Sequence, residues 1–254
     1  NEIIGAYNKM GDKPATESEI TKLRKTYGKN SAWARANSAN QDAINEARGF
    51  LEKNLRKVAV SYYQEARKLG TGSRARESYE FAGRAYAVYL DEFPDGKFAY
   101  QMRYEYGELL YEMKQYDQAY EQYMAVVKID PKGKESQFCA RSAVYAASEM
   151  VKVDAKEGKV QKGSKENKSE ILNLSPWEEK KLAALDQFST QYPDHKDTKG
   201  MIYEAGYLYY DKNRFKDASD RFRIVISMDP RSKQAMLAAN LIVDSFALVE
   251  DYGN

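Results

Sequence analysis

The sequence predicts an all-α chain of stacked helix pairs, about four pairs followed by one closing helix. Three observations predict it. Residues 94–131 recur at 193–230 without a gap, and 13 of the 38 positions are identical, where ordinary composition would give roughly two. Within each copy the apolar residues fall at three- and four-residue intervals: Met102, Tyr106, Leu109, Leu110 and Met113, then Ala119, Tyr123, Val126 and Val127. Breakers are scarce, with 6 Pro and 15 Gly in 254 residues, while Tyr reaches 21. That balance suits long helices better than many short strands.

The elements follow in order. Residues 100–113 and 116–129 form a helical hairpin broken near Lys114 and Gln115, and Pro131 closes it because proline has no N–H to continue the ladder. Its copy runs to Pro230. Gly inside a helix costs about 1 kcal/mol against Ala, so Gly107 and Gly206 suggest close helix contact. Residues 41–69 and 78–93 give an earlier pair around the break at residues 70–72. Residues 136–151 and 176–191 give a third pair, and 232–249 the closing helix. Two stretches fall outside the pairs. Residues 1–40 read as an N-terminal arm with one short helix at 17–27. Residues 153–174 carry lysines at 156, 159, 162, 165 and 168 with little apolar content, and read as an expanded loop closer to mobile than packed. An electrostatic docking role for its lysines is weighed against a plain solvated loop, which is preferred.

Chemistry-bearing motifs are few. Residues 158–165 place Lys and Ser in the wrong order for a phosphate loop, and residues 70–73 are too short for a dinucleotide fingerprint. One His, His195, stands in a repeat junction and reads as a loop residue. One Cys, Cys139, reads as a small buried apolar group rather than a nucleophile. Carboxylate pairs such as Glu105/Glu108 and Glu204/Asp211 read as solvated faces, since no pocket separates their environments. The triplet Asn167-Lys168-Ser169 matches a glycosylation acceptor but is a common pattern. No metal, cofactor or catalytic residue is expected. Residues 1–70 hold 13 basic and 8 acidic side chains around a patch at Lys53, Arg56 and Lys57, yet the whole chain carries +2, so nucleic acid is not expected as a partner. Trp33 reads as a packing residue, with a partner anchor as the alternative. No membrane-spanning segment is expected. A chain that starts at Asn1 without Met is expected to be processed or cut from something longer.

The series Gly107, Ala119, Tyr123, Pro131 and its copy Gly206, Ala218, Phe222, Pro230 resembles the tetratricopeptide repeat (TPR), a helix-turn-helix unit of about 34 residues. The Trp of the family's first helix is replaced by Arg103 and Ile202. The resemblance covers residues 41–252 and implies repeats at 41–94, 97–131, 134–193 and 197–230, a cap at 232–252, and a right-handed α-solenoid. It also implies a concave face lined by the first helix of each pair. Carried over, that face holds Gln101, Tyr104, Glu108, Tyr111 and Glu112, then Phe138, Arg141, Ser142 and Tyr145, then Tyr203, Tyr207, Tyr210 and Asp211. Tyrosines of this kind suit a protein or peptide partner. The endings Glu92-Phe93-Pro94-Asp95-Gly96 and Gln191-Tyr192-Pro193-Asp194 are similar to bacterial cell-envelope TPR proteins of the Tol-Pal-associated coordinator type, and more loosely to deltaproteobacterial gliding proteins. That implies a periplasmic scaffold, with a cytoplasmic setting as the alternative. A structural subunit using its convex face, the arm or the loop at 153–174 is the second reading, and an enzyme on a helical solenoid a distant third.

Overall fold

A computed structural model describes residues 2–163 and 170–250, and among these all regular structure is helical. The chain divides into two compact units, Asn1–Lys114 and Gln115–Asn254.

The first unit holds α1 (Glu2–Met10), α2 (Lys13–Tyr27), α3 (Ala32–Ala36), α4 (Gln41–Leu69), α5 (Ser73–Glu92) and α6 (Ala99–Glu112). Only three residues join α4 to α5, and the two helices pack along each other, which makes them an antiparallel hairpin. Gly70 and Gly72 turn the chain at φ 71° and 108°, values that glycine adopts without a Cβ penalty. The hairpin core is Leu51, Leu55, Val58 and Tyr62 of α4 against Phe81, Ala82, Tyr86 and Tyr89 of α5, all buried. Tyr62 and Phe81 meet edge to face at 4.4 Å. Burying each large side chain contributes roughly 1.5–3 kcal/mol.

The N-terminal arm is more structured than the sequence suggested. Its helix begins at Lys13, where Asp12 caps the Ala15 N–H and Pro14 occupies the first turn. Two further helices flank it, and the arm docks on α4 and α5. Asn8 bonds Ser61 at 3.1 Å, Lys13 pairs with Glu65 at 3.2 Å, and Arg24 pairs with the buried Glu92 at 2.8 Å. Thr16, fully buried, lies 3.5 Å from the Tyr62 hydroxyl. These contacts join residues more than 45 apart, which a local reading of residues 1–40 cannot see. Trp33 packs edge-on to Tyr27 at 5.1 Å.

The second unit holds α7 (Tyr116–Ile129), α8 (Ser136–Lys156), α9 (Pro176–Gln191), α10 (Thr198–Asp211), α11 (Phe215–Met228) and α12 (Lys233–Glu250). Each helix here packs on the next in chain order. One junction turn recurs between successive pairs in both units. Gly96 N–H bonds Phe93 C=O and Ala99 N–H bonds Gly96 C=O; Gly133 and Ser136 do the same from Asp130, and His195 and Thr198 from Tyr192. His195 therefore serves the turn, its ring edge-on to Phe188 at 5.2 Å. The turn inside the pairs also repeats: Lys114 and Asn213, 99 residues apart, both take left-handed φ, 59° and 58°. Cys139 is buried, as expected of a small apolar group. At Gly206 a Cβ would lie 2.7 Å from the fully buried ring of Phe222, which accounts for glycine there.

The insertion at 153–174 departs from expectation. Helix α8 runs through Lys156, so the loop starts later, and both described arms are held on the turn between α10 and α11. Gly163 N–H bonds Asp211 C=O at 3.1 Å, Leu172 N–H bonds Lys212 C=O at 3.0 Å, and the Asn213 amide donates to Glu170 C=O at 2.8 Å. Lys212 is buried, donates to Gln161 C=O and pairs with buried Glu178 at 2.9 Å. Glu178 is also the reciprocal partner of Ser175 in the capping box of α9. Polar composition suggested mobility because it does not reveal that a lysine 51 residues away buries its charge against the loop. Lys165, Lys168 and the Asn167 triplet lie outside the described residues.

Three outcomes follow from this packing. Gly206→Ala is expected to lower unfolding stability by about 1–3 kcal/mol through overpacking on Phe222, whereas Ala at Gly49, where nothing lies within 4 Å, raises it by about 0.5–1 kcal/mol. Urea denaturation reads both. Lys212→Met leaves Glu178 buried without its cation and is expected to cost about 3–5 kcal/mol. The Gly163 and Leu172 amides then exchange faster by hydrogen exchange, and the double variant with Glu178→Met recovers part of the loss.

Candidate interaction surface

Within the first unit, α4 and α6 enclose a cleft of about 260 Å³ lined by Val60, Tyr63, Gln64 and Arg67 on one side and Tyr104, Glu105, Glu108 and Glu112 on the other. The α4 residues stand at i, i+3, i+4 and i+7, and the α6 residues at i, i+1, i+4 and i+8, so each set is one helix face. Behind Tyr63 the packing is aromatic. Tyr63 meets Tyr79 at 6.1 Å and Tyr86 at 6.2 Å, and Tyr86 stacks on Tyr106 at 5.7 Å. The rim is charged. The Arg67 guanidinium lies over the Tyr63 ring at 5.8 Å, and Glu105 accepts from the Tyr86 hydroxyl at 2.7 Å and from Gln101 at 2.8 Å. Three carboxylates against one guanidinium leave the cleft acidic.

The phenols respond to this setting. Burial, then the Glu112 and Glu108 carboxylates, pushes Tyr63 well above the usual phenol range. Burial together with the Tyr79–Glu112 hydrogen bond pushes Tyr79 up to about 12. Burial raises Tyr86 further, with Glu105 adding to it. These groups stay neutral donors at any physiological pH.

Of the residues expected on the partner face, Tyr104, Glu108 and Glu112 come together in this cleft. Gln101 is exposed and holds Glu105, and Tyr111 is half-buried. In the second unit Tyr145 and Tyr207 are exposed. Tyr207 stacks on Tyr210 at 6.2 Å, while Tyr210 packs edge-on to Phe215 at 5.5 Å and Tyr203 on Phe222 at 5.6 Å. Tyr203 and Tyr210 thus lean on the hydrophobic cluster of Ile202, Ala218, Phe222, Val225 and Ala238. Half-buried Asp211 gives its carbonyl to Gly163. Arg141 lies over Phe138 at 5.8 Å and 3.5 Å from Asp197. Ser142 is buried and presents no surface: its place in the helix faces the packed side, a correction to the groove assignment. Tyr63, Arg67 and Tyr79 were missed, although the spacing of Val60, Tyr63, Gln64 and Arg67 on α4 was a readable stripe.

The structure sets Gly206 against Phe222, with Ala218 one turn before Phe222 and Pro230 after the pair, the residues that carry the resemblance to the tetratricopeptide repeat. Similar solved structures include a Podosopora anserina kinesin light chain with nearly identical TPR-like repeats, at 11% identity over 75% of this chain and 86% of that one, TM-score 0.42. A MamA protein is 13% identical over 76% of this chain and 89% of its own, TM-score 0.41. MamA from Desulfovibrio magneticus RS-1 is 14% identical over 76% and 96%, TM-score 0.38. No protein-family model and no curated protein matches the chain. Among the described residues, no helix is long and apolar enough to cross a membrane.

The raised phenols give a pH dependence whose sign is fixed. Unfolded tyrosines ionise near about 10, whereas Tyr79 and Tyr120 hold their protons to about 12. Stability present below pH ~10 is therefore lost as pH rises toward ~12. Phenolate absorbance is expected to climb together with unfolding, and Tyr79→Phe to reduce the protons released on unfolding in this window by about one.

Proposed function

We propose that this chain is a non-catalytic protein-interaction scaffold that holds a partner peptide or helix against the Tyr-rich faces of the first helix of each pair, within a bacterial cell-envelope complex in the periplasm. The observation that carries the reading is the α4–α6 cleft. Tyr63 and Tyr104 give it aromatic walls, and its carboxylates outnumber Arg67. Aromatic walls give contact area with little rotamer entropy to lose, and rim carboxylates steer and register a cationic side chain. A partner segment with Lys or Arg next to an apolar residue suits this geometry. The envelope setting is supported by the likeness of the Phe-Pro-Asp and Tyr-Pro-Asp endings to envelope proteins. The alternative contact surfaces have internal work: the arm is tied to α4 and α5, and the arms of the insertion to the turn before α11.

Photo-crosslinking in the native host tests this. With p-benzoylphenylalanine at Gln64 or Tyr104, an adduct to a discrete partner in a periplasmic fraction is expected, and Glu108→Lys weakens it by about tenfold or more. Adducts arising from exposed Lys128 on α7 and not from the cleft positions would overturn the groove reading. Recovery of the native protein in the cytoplasm would overturn the envelope placement alone.

A further inference from the structure

Within the first unit, α4 and α6 run in the same direction. Arg56 lies over the Phe98 ring at 4.0 Å, and further along both helices the charges of Arg67 and Glu112 both reach the Tyr79 hydroxyl. The cleft between them therefore has two ends. At one, the Arg67 guanidinium already covers the Tyr63 ring at 5.8 Å, on the side of Glu112. At the other, Val60 and Gln64 stand toward Tyr104 and Glu105, with Glu108 between the ends. Among the described residues that line the cleft, Arg67 is the only cation. Two of the carboxylates take hydrogen bonds from neutral hydroxyls, Glu105 from Tyr86 at 2.7 Å and Glu112 from Tyr79. Such bonds fix a carboxylate in place without cancelling its charge. Burial raises the Tyr63 phenol most, and Glu112 and Glu108 then each outweigh Arg67 there. The negative field thus survives the protein's own cation.

We infer that the end at Tyr104 and Glu105 is a seat for one arginine side chain of a partner peptide; the inference rests on the groove reading above and names its anchor. The cleft of about 260 Å³ is smaller than the ~300–1,000 Å³ of a site that encloses a small molecule, so it admits a side chain rather than a helix. The apolar stem of the guest meets Val60 and Tyr104, and its charged tip meets Glu105 and Glu108. These two carboxylates stand at i and i+3 on one helix face. A planar guanidinium can bond them along separate edges while its face rests on a ring. An ammonium is a more strongly hydrated point charge and loses more on entry. The protein makes the same choice at the first end, where the cation on Tyr63 is a guanidinium. Arg67 is then a competitor as well as a neighbour: its charge repels the guest, and removing it strengthens binding.

The test uses the whole chain, isotope-labelled for amide NMR and titrated to about 5 mM with the peptide acetyl-Ala-Leu-Arg-Leu-Ala-amide and with its lysine and citrulline counterparts. The arginine peptide is expected to give saturable shifts at the Gln64, Tyr104 and Glu108 amides. Lysine binds at least about fivefold more weakly, and citrulline, whose urea is neutral, at least about tenfold. Glu108→Gln weakens arginine binding by about threefold or more, and Arg67→Gln strengthens it by about twofold or more. Neither change touches the Tyr86–Glu105 bond, and unchanged helical circular dichroism confirms that both variants fold. Absent shifts, equal binding of the three peptides, or arginine binding that Arg67→Gln weakens or leaves unchanged would overturn the inference. Photo-crosslinking keeps the two readings apart. Adducts at Gln64 or Tyr104 together with equal binding of the three peptides would remove the arginine anchor and leave the groove. Arginine-selective binding without adducts at either position would uphold the seat and remove the partner reading.

Discussion

The spacing inside the fourth pair rests on one contact, a fully buried aromatic ring against a residue with no side chain. Phe222 lies where the Cβ of Gly206 would stand. A helix interior penalises glycine by about 1 kcal/mol, so the contact must return more than that, and the burial of Phe222, Ala218 and Val225 does so. Close approach of two helices in turn demands a short link, and three residues supply it with Asn213 in a left-handed conformation. That strained turn is also where the insertion attaches. Local packing, the left-handed turn and the attachment of the insertion's described arms thus meet within one helix pair.

Lys212 shows how the turn recruits distant chain. Its ammonium is buried among Gln161 C=O and the Glu178 carboxylate. A buried lysine is tolerable only when its donors are satisfied and its charge is matched. The cap of α9, the insertion and the α10–α11 turn therefore share one electrostatic condition, and none of the three can relax alone. Gly163 fits the same picture: a Cβ there would stand 2.7 Å from Asn213 Oδ1. The insertion is loop by composition and scaffold by contact.

Much of the architecture was legible because repetition amplifies weak signals. Pro94, Pro131, Pro193 and Pro230 mark the same register, and Gly107/Gly206 with Ala119/Ala218 mark the same faces. What escaped had no second copy. The docking of α1 and α2 rests on single pairs such as Asn8 with Ser61 and Arg24 with Glu92, whose members are 53 and 68 residues apart. The lining of the candidate cleft was half legible. Carrying a face from one repeat to the next names Tyr104, Glu108 and Glu112, which line one of its walls, but the opposite wall belongs to α4, a 29-residue helix too unlike the others to align. Ser142 was misplaced because the third pair, interrupted by the insertion, gives the loosest alignment of the set.

The abundance of tyrosine has a packing reason. A pair of helices offers few sites where a large side chain is enclosed from base to tip. A ring that fills the core must often end near the surface, and a hydroxyl there can bond instead of remaining a buried apolar edge. Tyr86 ends on Glu105, Tyr89 on Glu52, Tyr120 on the Lys180 carbonyl and Tyr192 on the Pro131 carbonyl. Tyrosine content by itself therefore does not mark a partner face. What singles out the α4–α6 cleft is the coincidence of phenols with carboxylates in excess of local cations, on two helix faces that leave room between them. Aromatic area without such charge is already used by the protein's own packing, as Tyr203 on Phe222 illustrates.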